Sequence, residues 1–432
     1  MKEECGDHKR KNRSRGCCLP SDWRYAPLGS AIKDSQYGLS CATSPDGNVP
    51  IIGMANIKNG RIYPDNASKV ELTSEQYNTY KLNKGDLLFN RTNSAALVGK
   101  TAVVSVDMPF VFASYIVRLI IDSKTADSYY LGYILSTWDS AAKLRSLATP
   151  GVSQYNINPT TLKKHFWVAL PPVQEQERIV EVLKLWDRAI DLTEKLLAEK
   201  QELRRGVGQQ LLTGKRRLHG FEKGKGRRKT PWGTYPQDWE YPRIAQVAKN
   251  VSVKNSEGIA LPVLSCTKHR GLVDSMEYFG KQVFSKDLST YKVVLRGQFA
   301  YATNHIEEGS IGYQDLHDSA VISPMYTVFE AGPMIEDRFL FLLLKTDLYR
   351  HIFEINTSAS VDRRGSLRWT KFSRLRVPVP SLDEQQAIIR VFSLLDREVE
   401  LIETKINSLR VQKKGLMQQL LTGKKRVTTC AT

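Results

Sequence analysis

The sequence contains few cysteines, and they form none of the usual binding patterns. Six occur among 432 residues, at positions 5, 17, 18, 41, 266 and 430. No two of them make a C-x-x-C pair, and no histidine stands beside them at zinc-binding spacing. The seven histidines are scattered along the chain. We therefore expect free thiols, with neither disulfides nor a metal site.

Long apolar runs are also missing. No segment approaches the roughly 18 apolar residues that a membrane-spanning helix needs. The N-terminal stretch is charged and has no secretory core. We expect a cytoplasmic protein with no membrane partner.

The motifs of common DNA-modifying enzymes are absent as well. There is no G-x-G-x-x-G and no Asn-Pro-Pro-Tyr or Asp-Pro-Pro-Tyr of the amino-methyltransferase kind. Gly99-Lys100-Thr101 resembles the end of a phosphate-binding loop, but Ser94 stands where its first glycine belongs, so we expect a turn between strands. Pro64-Asp65 is followed by Glu71 without the E-x-K of a nuclease cluster. We predict no catalytic residue and no cofactor in this chain.

The chain instead carries a large excess of positive charge. Its formal net charge is +18, its isoelectric point is near 9.5, and 41% of its residues are hydrophobic. This content suffices for buried cores, and the length corresponds to two or three domains. A basic balance favours a polyanionic partner, because each neutralised phosphate releases a counterion.

A long helix-like stretch occurs twice at a fixed distance. The first copy runs from Gln174 to Leu212 and the second from Asp383 to Leu421. Their Glu-Gln openings are separated by 384 − 175 = 209 positions, and the Leu-Leu-Thr-Gly-Lys endings keep the same offset. Gly214 and Gly423 in those endings are typical of helix C-terminal stops. Ser381 with Glu384 predicts a capping box at the start of the second helix.

Apolar residues in the second copy recur at alternating four- and three-residue steps, which predicts a helix packed along another helix. The predicted seam of the second copy contains Ile388, Phe392, Leu395, Val399, Ile402, Ile406 and Leu420. The corresponding seam of the first copy contains Ile179, Leu183, Trp186, Ile190, Leu197 and Leu211. Thr193, Lys200 and Arg204 interrupt that pattern. Each copy is the natural partner of the other, and at about 1.5 Å per residue each helix would be roughly 58 Å long.

A stretch of mixed texture precedes each helix. In the first, short β-like runs cover Val49 to Met54, Asp86 to Phe89, Thr101 to Val106 and Val111 to Ile121, and a helical run covers Tyr129 to Leu147. A comparable set follows from Pro231. We predict a mixed α+β fold with an internal repeat. Its parts are a flexible basic tail (1–18), a first mixed domain (19–170), a first long helix (171–214), a basic linker (215–230), a second mixed domain (231–378), a second long helix (379–423) and a tail (424–432).

Polar loops occur at corresponding places in the two mixed domains. Arg, Asn and Gln side chains can make paired hydrogen bonds to purine edges, each worth about 1 to 3 kcal/mol of discrimination. The candidate DNA-contacting residues of the first domain are Asn90, Arg91, Asn93, Lys100, Gln154 and Asn156. Those of the second domain are Lys268, His269, Arg270, Thr303, Asn304, Arg363 and Arg364. Any one of these loops could equally be a solvated polar loop, but the sets stand in matching positions.

The repeated motifs resemble those of the specificity subunit of type I restriction-modification systems. They are Leu170-Pro171-Pro172-x-x-Glu175-Gln176, Val379-Pro380-x-x-x-Glu384-Gln385, the Leu-Leu-Thr-Gly-Lys endings, and Lys84-Gly85-Asp86 with the following Arg/Asn loop. The resemblance covers nearly the whole chain from Leu19. It departs at Pro172, where a Ser-type cap is usual, and at Arg296-Gly297-Gln298, which replaces Lys-Gly-Asp.

The resemblance implies two target-recognition domains separated by two antiparallel coiled-coil helices, arranged as a pseudo-twofold repeat. Each domain would grip one half of a split double-stranded DNA site. Two modification subunits would dock on the helices, bind S-adenosylmethionine and methylate adenine, and restriction subunits using ATP and Mg²⁺ would translocate and cut. Two alternatives are a DNA-modifying enzyme that acts alone and a coiled-coil scaffold without DNA function.

Overall fold

The fold is mixed α and β throughout, as predicted. The computed structural model describes residues 13–14, 17–107, 109–152, 154–222, 226–357 and 366–427. It divides into a first unit, Met1–Glu194 with Thr404–Thr432, and a second unit, Lys195–Glu403. No helix among the described residues is long and apolar enough to cross a membrane.

The first unit is built on two small sheets. One is antiparallel, with strand order Thr101–Val103, Leu87–Asn90, Ile116–Ile121 and Ile32–Tyr37. The other has the order Val111–Phe112, Val49–Ile52 and Ser68–Val70, and its first two strands are parallel. Shorter pairings join Trp167–Leu170 to Arg24–Pro27, Ile57–Lys58 to Arg61–Ile62, Arg13–Ser14 to Cys17–Cys18, and Tyr155–Asn156 to both Thr92–Asn93 and Thr149–Pro150.

The second unit repeats this plan. Its antiparallel sheet has the order Ile311–Tyr313, Phe299–Ala302, Tyr326–Ala331 and Ala248–Val251. The other sheet has the order Gly271–Asp274, Val263–Thr267, Ser319–Ile322 and Lys292–Leu295, with the middle pair parallel. A hairpin joins Arg227–Thr230 to Gly233–Pro236. The four-stranded antiparallel sheet thus has the same order of strands along the chain in both units.

Each unit also contains short helices and parts of the two long helices. The first unit has α-helices Ser74–Tyr80, Ser128–Leu135, Trp138–Leu147 and Pro159–His165, and 3₁₀ turns Leu28–Ala31 and Met54–Asn56. The second unit has α-helices Ile244–Val247, Ser275–Phe279, Asp337–Leu344, Asp347–Asn356 and Trp369–Phe372, and the 3₁₀ turn Ile306–Glu308. The first long helix is Val173–Leu212 and the second long helix is Leu382–Leu420. Each contributes one half to each unit.

Two predicted elements are broken where the sequence appeared continuous. The run from Val111 to Ile121 is two strands in different sheets, because a turn closed by Ile116 N–H donating to Ala113 O separates them. The helical run from Tyr129 to Leu147 is two helices. Thr137 ends the first of them, since its side chain accepts a hydrogen bond from Ser140 N–H and caps the next helix.

Short strands occur within the predicted basic tail and the predicted basic linker. Cys17–Cys18 pairs with Arg13–Ser14 within the predicted flexible tail, whereas 1–12 and 15–16 lie outside the described residues. Arg227–Thr230 forms a strand within the predicted linker. The C-terminal tail contains a structural residue, Arg426, which is held by two carboxylates.

The long helices run antiparallel within each unit. In the first unit Glu194 accepts from Arg410 at 2.6 Å and Asp187 from Lys413 at 2.7 Å. In the second unit Lys200 donates to Glu398 at 2.7 Å, and Arg204 pairs with Asp396. All the predicted seam residues are buried or partly buried along these helices. Leu420 shares the core of the first unit with Ile179 and Leu183, and Leu211 shares the core of the second unit with Ile388 and Phe392.

The charges that interrupt the seam have partners. Arg204 pairs with Asp396 in the second unit, and Lys413 with Asp187 in the first. These two ion pairs occupy equivalent positions in the two copies of the repeat. Asp187 and Asp396 are 209 positions apart, and so are Arg204 and Lys413. Tyr133 also donates to Asp187 at 2.7 Å. The charged residues in the apolar pattern are therefore members of ion pairs between opposite helices, whereas Thr193 donates to Ala189 O in its own helix.

A four-residue cluster, the first clasp, closes one end of the helix pair in the first unit. It consists of Asp22, Trp23, Glu175 and Arg426. Trp23 Nε1 donates to Glu175 Oε2 at 3.1 Å, and Arg426 donates to both Glu175 and Asp22, in each case through two nitrogen atoms. These bonds join the start of the mixed domain, the start of the first long helix and the residues after the second long helix.

The second unit contains the equivalent cluster, the second clasp, formed by Asp238, Trp239, Glu384 and Arg217. Trp239 Nε1 donates to Glu384 Oε2 at 3.0 Å. Arg217 donates to Glu384 at 2.9 and 2.6 Å and to Asp238 at 3.0 and 2.8 Å. The carboxylate of Glu384 is thereby occupied, and it does not complete the predicted capping box. Only the Ser381 half of that box forms, with Glu384 N–H donating at 3.4 Å.

The glutamine that follows each clasp glutamate anchors the mixed domain to its helix. Gln176 donates to the carbonyl oxygens of Pro171 and Thr125 at 2.8 and 3.2 Å, and accepts from Asp127 N–H at 3.0 Å. Gln385 makes the same three bonds with Pro380, Met334 and Glu336 in the second unit. Both glutamines are fully buried. The Glu-Gln motif therefore fixes how each domain meets the start of a long helix.

Candidate nucleic-acid interface

The two polar loops predicted in the first unit lie side by side. Thr92–Asn93 pairs with Tyr155–Asn156, which also pairs with Thr149–Pro150. The Gly151–Gln154 turn closes the second hairpin, with Gly151 N–H donating to Gln154 O at 2.8 Å. This small sheet brings Arg91, Asn93, Gln154 and Asn156 into one region. We call it the first reading surface.

Arg91 is held in a defined orientation on this surface. Its Nη1 donates to Asn156 Oδ1 at 3.1 Å, and its Nε to the carbonyl oxygen of Ser114 at 3.3 Å. Its guanidinium lies over the ring of Tyr37, 5.1 Å from the ring centroid. Asn156 is exposed and also accepts from Thr92 Oγ1 at 3.2 Å. A guanidinium held this way loses little conformational entropy when it meets a planar acceptor such as guanine.

One residue predicted for this surface is buried in the domain instead. Asn90 is 0% exposed, at the end of a buried strand, and neither amide atom has a hydrogen-bond partner. It cannot contact DNA in this conformation, because both faces of this strand are buried. Lys100 is partly buried, and its carbonyl oxygen accepts from Asn90 N–H at 2.8 Å. Asn93 is partly buried, and its Oδ1 accepts from Ser94 N–H.

In the second unit, Lys268, His269 and Arg270 occupy the turn between strands Val263–Thr267 and Gly271–Asp274. All three residues are exposed. Thr267 Oγ1 closes the turn by accepting from Arg270 N–H at 3.1 Å and donating to Gly271 O at 3.0 Å. A closed turn presents two cations and a histidine outward, where they can reach phosphates or base edges.

Thr303 stands in the second unit where Arg91 stands in the first. Arg91 O accepts from Ile157 N–H at 2.8 Å, and Thr303 O accepts from Leu367 N–H at 2.9 Å. Thr303 Oγ1 donates to Met325 O, and also to Asn304 Oδ1, at 3.2 Å. The same backbone position thus carries a different hydrogen-bonding group in each unit. We call the Lys268–Arg270 turn with the Thr303–Gly309 loop the second reading surface.

The predicted pair Arg363 and Arg364 lies outside the described residues. Its contribution to the second reading surface therefore stays a prediction.

One group in the second unit has metal-ligand chemistry. Ligand atoms of His305, Glu307 and Glu308 lie within 4.8 Å of one another. His305 Nδ1 and Glu308 Oε1 already contact each other at 3.3 Å, and both side chains are exposed. We assign no metal to this group, since its histidine and one carboxylate satisfy each other.

Sequence reasoning missed residues that act through the fold. Tyr37 lies beneath Arg91 although it is more than 50 residues away in the chain. Lys345 donates to carbonyl oxygens of both loops of the second reading surface. Arg217 and Arg426 follow the long helices at the same offset as the rest of the repeat. That offset is a signal in the sequence that could have identified them.

The duplication, the charge and the two polar surfaces together define a class of protein. The chain is a duplicated, basic protein with two differing polar surfaces of the kind that read nucleic acid. A profile of the type I restriction modification DNA specificity domain matches residues 32–201 and 236–411. The chain therefore belongs to the DNA specificity family of type I restriction-modification systems, whose members are their specificity subunits.

Individual relatives agree with this assignment. A putative type I restriction enzyme MjaX specificity subunit from Methanocaldococcus jannaschii is 24% identical over 422 residues, which cover 95% of each chain. The type I restriction enzyme MjaVIII specificity subunit of the same organism is 25% identical, again over 95% of each chain. A crystal structure of the type I restriction-modification S subunit from M. genitalium has a TM-score of 0.54 at 16% identity, covering 97% of this chain and 100% of that one. The last similarity shows a shared fold.

Proposed function

We propose that this chain is a non-catalytic subunit that reads an asymmetric, bipartite double-stranded DNA site, with one half read by each unit. The observation that carries the proposal is that Arg91 in the first unit and Thr303 in the second occupy equivalent backbone positions. Matched scaffolds with different hydrogen-bonding groups favour two different half-site sequences. The surplus of positive charge supplies the contacts to phosphate that do not depend on sequence.

The helix pair sets the gap between the half-sites in this proposal. Each long helix is continuous across 40 or 39 residues, and ion pairs fix its register against its partner in each unit. At about 1.5 Å per residue such a helix is roughly 60 Å long. Half-sites about one to two helical turns of DNA apart, at roughly 34 to 36 Å per turn, would suit that length.

A lengthened helix pair tests the proposed spacing. Seven residues inserted into each helix keep the heptad in phase and add about 10 Å. We expect methylome mapping to find the same two half-site sequences with a gap longer by about three base pairs. The control carries the insertion in one helix only, which shifts the ion pairs out of register and should abolish recognition. An unchanged gap in the double insertion would overturn the proposed spacing.

Two matching apolar patches support the docking of two modification subunits. Leu185 and Leu394 are 67% and 70% exposed on the long helices. Leu192 and Leu401 are also exposed, one heptad further along. Both pairs keep the offset of 209 positions, so each unit presents the same two leucines. Exposed leucines repeated in this way favour two copies of one partner.

Charged substitutions test the docking proposal. Leu185→Lys with Leu192→Lys should remove one modification subunit, so native mass spectrometry should find one per specificity subunit where the unaltered chain has two. Adding Leu394→Lys and Leu401→Lys should remove the second. Leu203→Lys is the matched control, because Leu203 is exposed on the same helix but its repeat counterpart is Gln412. Full assembly of the fourfold variant would reject these patches.

Incubation of the purified chain with duplex DNA tests the remaining alternatives. We expect no product with S-adenosylmethionine or Mg²⁺ in the absence of partner subunits. Methylated or cleaved DNA would identify an enzyme that acts alone. The affinity of the assembled complex for DNA should fall steeply as the salt concentration rises. If the chain were a scaffold that does not contact DNA, it would contribute nothing to that salt dependence.

A further inference from the structure

The ammonium group of Lys345 joins two separate loops of the second unit. Its Nζ donates to Lys268 O at 3.0 Å and to Gly309 O at 2.9 Å. Lys268 begins the exposed turn of the second reading surface, and Gly309 ends its other loop. Lys345 itself is only partly exposed, at the C-terminal end of helix Asp337–Leu344. One side chain on a packed helix is therefore bonded to both loops.

The two loops also lie close together, and glycines hold the backbone there in left-handed conformations. Gly309 has a φ of +93°, and a Cβ atom there would lie 3.4 Å from Lys268 O. At the base of the turn, Gly271 has a φ of +69°. A Cβ at Gly312, on the neighbouring strand, would lie only 2.4 Å from Leu272 N, which leaves no room for a side chain. The backbone is thus packed closely on both sides of the Lys345 bonds.

The first unit differs at this position. Ser136 follows helix Ser128–Leu135 exactly 209 positions before Lys345, and the next residue in both units is a threonine that caps a helix. The Ser136 hydroxyl donates to Tyr133 O, three residues back in its own helix. The link between loops is therefore a feature of the second unit and not of the repeated scaffold.

We propose that Lys345 is a positioning residue that holds the Lys268–Arg270 turn and the Thr303–Gly309 loop as one surface, and so determines specificity at the half-site read by the second unit. The inference rests on the proposed DNA-reading function. Lys345 acts through the two carbonyl oxygens and need not touch DNA. Its loss frees the turn to present Lys268, His269 and Arg270 in several arrangements, which reduces discrimination between bases.

The test compares Lys345→Met with unaltered protein in complex with the modification subunits. Methylation rates are measured on duplexes that each carry one base-pair change in either half-site. We expect Lys345→Met to lose about tenfold of its discrimination in the half-site of the second unit, comparable to the value of one good base contact. Discrimination in the other half-site should stay unchanged. Lys345→Arg should retain most of it, because a guanidinium can donate to both carbonyl oxygens.

Two control variants separate positioning from charge and from stability. Lys249→Met removes the same charge from a surface ion pair with Glu330 in the same unit. Val377→Ala destabilises the core of that unit at a residue that lies outside both loops. Both should keep full discrimination. Loss of discrimination in Val377→Ala equal to that in Lys345→Met would reduce Lys345 to a general stabilising residue and overturn the proposal.

Hydrogen exchange provides a readout that is independent of DNA. Amides of both loops should exchange faster in Lys345→Met than in unaltered protein, and Lys249→Met should leave them unchanged. Unchanged exchange, or discrimination lost equally in both half-sites, would overturn the inference while leaving the DNA-reading function intact. If the unaltered complex itself methylates all duplexes alike, the proposed function fails, and this inference fails with it.

Discussion

Glu175 accepts a hydrogen bond from the indole of Trp23 at 3.1 Å across 152 residues of chain. Glu384 and Trp239 repeat that bond at 3.0 Å in the second unit. In each clasp the same carboxylate also holds an arginine that follows the opposite long helix. One glutamate thus connects three segments that are distant in the chain.

Removing this carboxylate should destabilise its unit strongly. Glu384 is 1% exposed, so Glu384→Ala leaves Arg217 and the Trp239 N–H without their buried acceptor. We expect a loss of roughly 3 kcal/mol in the free energy of unfolding, measured by urea denaturation. Asp383→Ala, which removes an exposed carboxylate one residue earlier, should cost less than about 0.5 kcal/mol. Equal losses in the two variants would show that the bonds of the clasp do not contribute to the free energy of unfolding.

Glycine substitutions just after the long helices and within their last two turns should have opposite effects on stability. Gly214 and Gly423 have φ values of +59° and +71°, and a Cβ there would lie 2.5 and 2.6 Å from the Cδ atoms of Pro236 and Pro20. Alanine at either position should cost about 1 to 3 kcal/mol.

The matched controls are Gly206→Ala and Gly415→Ala, where a Cβ meets nothing within 4 Å. Both should stabilise by about 0.5 to 1 kcal/mol, because alanine is the better helix former. Thermal unfolding of the four variants measures the contrast. Destabilisation at all four positions would show that Gly206 and Gly415 have a packing role.

Asn90 should be dispensable for DNA recognition. Its buried amide atoms have no hydrogen-bond partner, and such atoms cost about 1 to 3 kcal/mol each. Asn90→Val removes them and suits a strand, so the free energy of unfolding should rise by about 1 kcal/mol. Discrimination between duplexes should match that of unaltered protein. Relaxed specificity would mean that Asn90 becomes exposed when DNA binds.

Arg91 should be required for one half-site only. Arg91→Ala removes a preorganised guanidinium from the first reading surface, and about 10- to 100-fold of discrimination should be lost at the bases that it reads. Methylation of a duplex panel by the assembled complex measures the loss. Lys84→Ala, which removes an exposed cation from the same unit, is the control for charge. Equal loss in both half-sites would contradict separate reading by the two units.

Acid should weaken the first clasp through Asp22. The hydrogen bond from Arg426 lowers the pKa of Asp22 below its ordinary value of 3.8. A carboxylate with a depressed folded-state pKa contributes stability above its unfolded-state pKa, and that contribution is lost as the pH falls through the folded-state pKa. The difference in unfolding free energy between unaltered protein and Asp22→Asn should therefore be constant from pH 7 to about 5 and shrink below pH 4. A difference that grows on acidification would contradict the assigned direction.

The sequence predicted the long helices well because periodicity and duplication are local signals. Their observed bounds, Val173–Leu212 and Leu382–Leu420, differ by one residue at three of the four ends and coincide at Leu212. The heptad pattern registers hydrophobicity alone, so Arg204 and Lys200 appeared as interruptions. Their roles depend on Asp396 and Glu398, which flank the apolar seam and are therefore not part of the apolar pattern.

The candidate site was less predictable because it depends on contacts between distant segments. The loops containing Arg91 and Asn156 were both identified, but nothing local indicates that their side chains bond to each other. Asn90 was assigned to the surface because polar residues usually lie there, whereas it belongs to a strand that is buried on both faces. Lys345 is an ordinary lysine in the sequence, and its two bonds to backbone carbonyl oxygens arise only because two distant loops converge on it.

The ion pairs Arg204–Asp396 and Lys413–Asp187 restrict how this chain can change its length. If one helix slid along the other by a single heptad, each carboxylate would lose its cation and face an apolar side chain, which is Leu197 or Leu211 for Asp396 and Ile406 or Leu420 for Asp187. Insertions and deletions in the two long helices should therefore occur in both helices together and in whole heptads. Related proteins would then recognise sites whose gaps form a discrete series, with intermediate values missing.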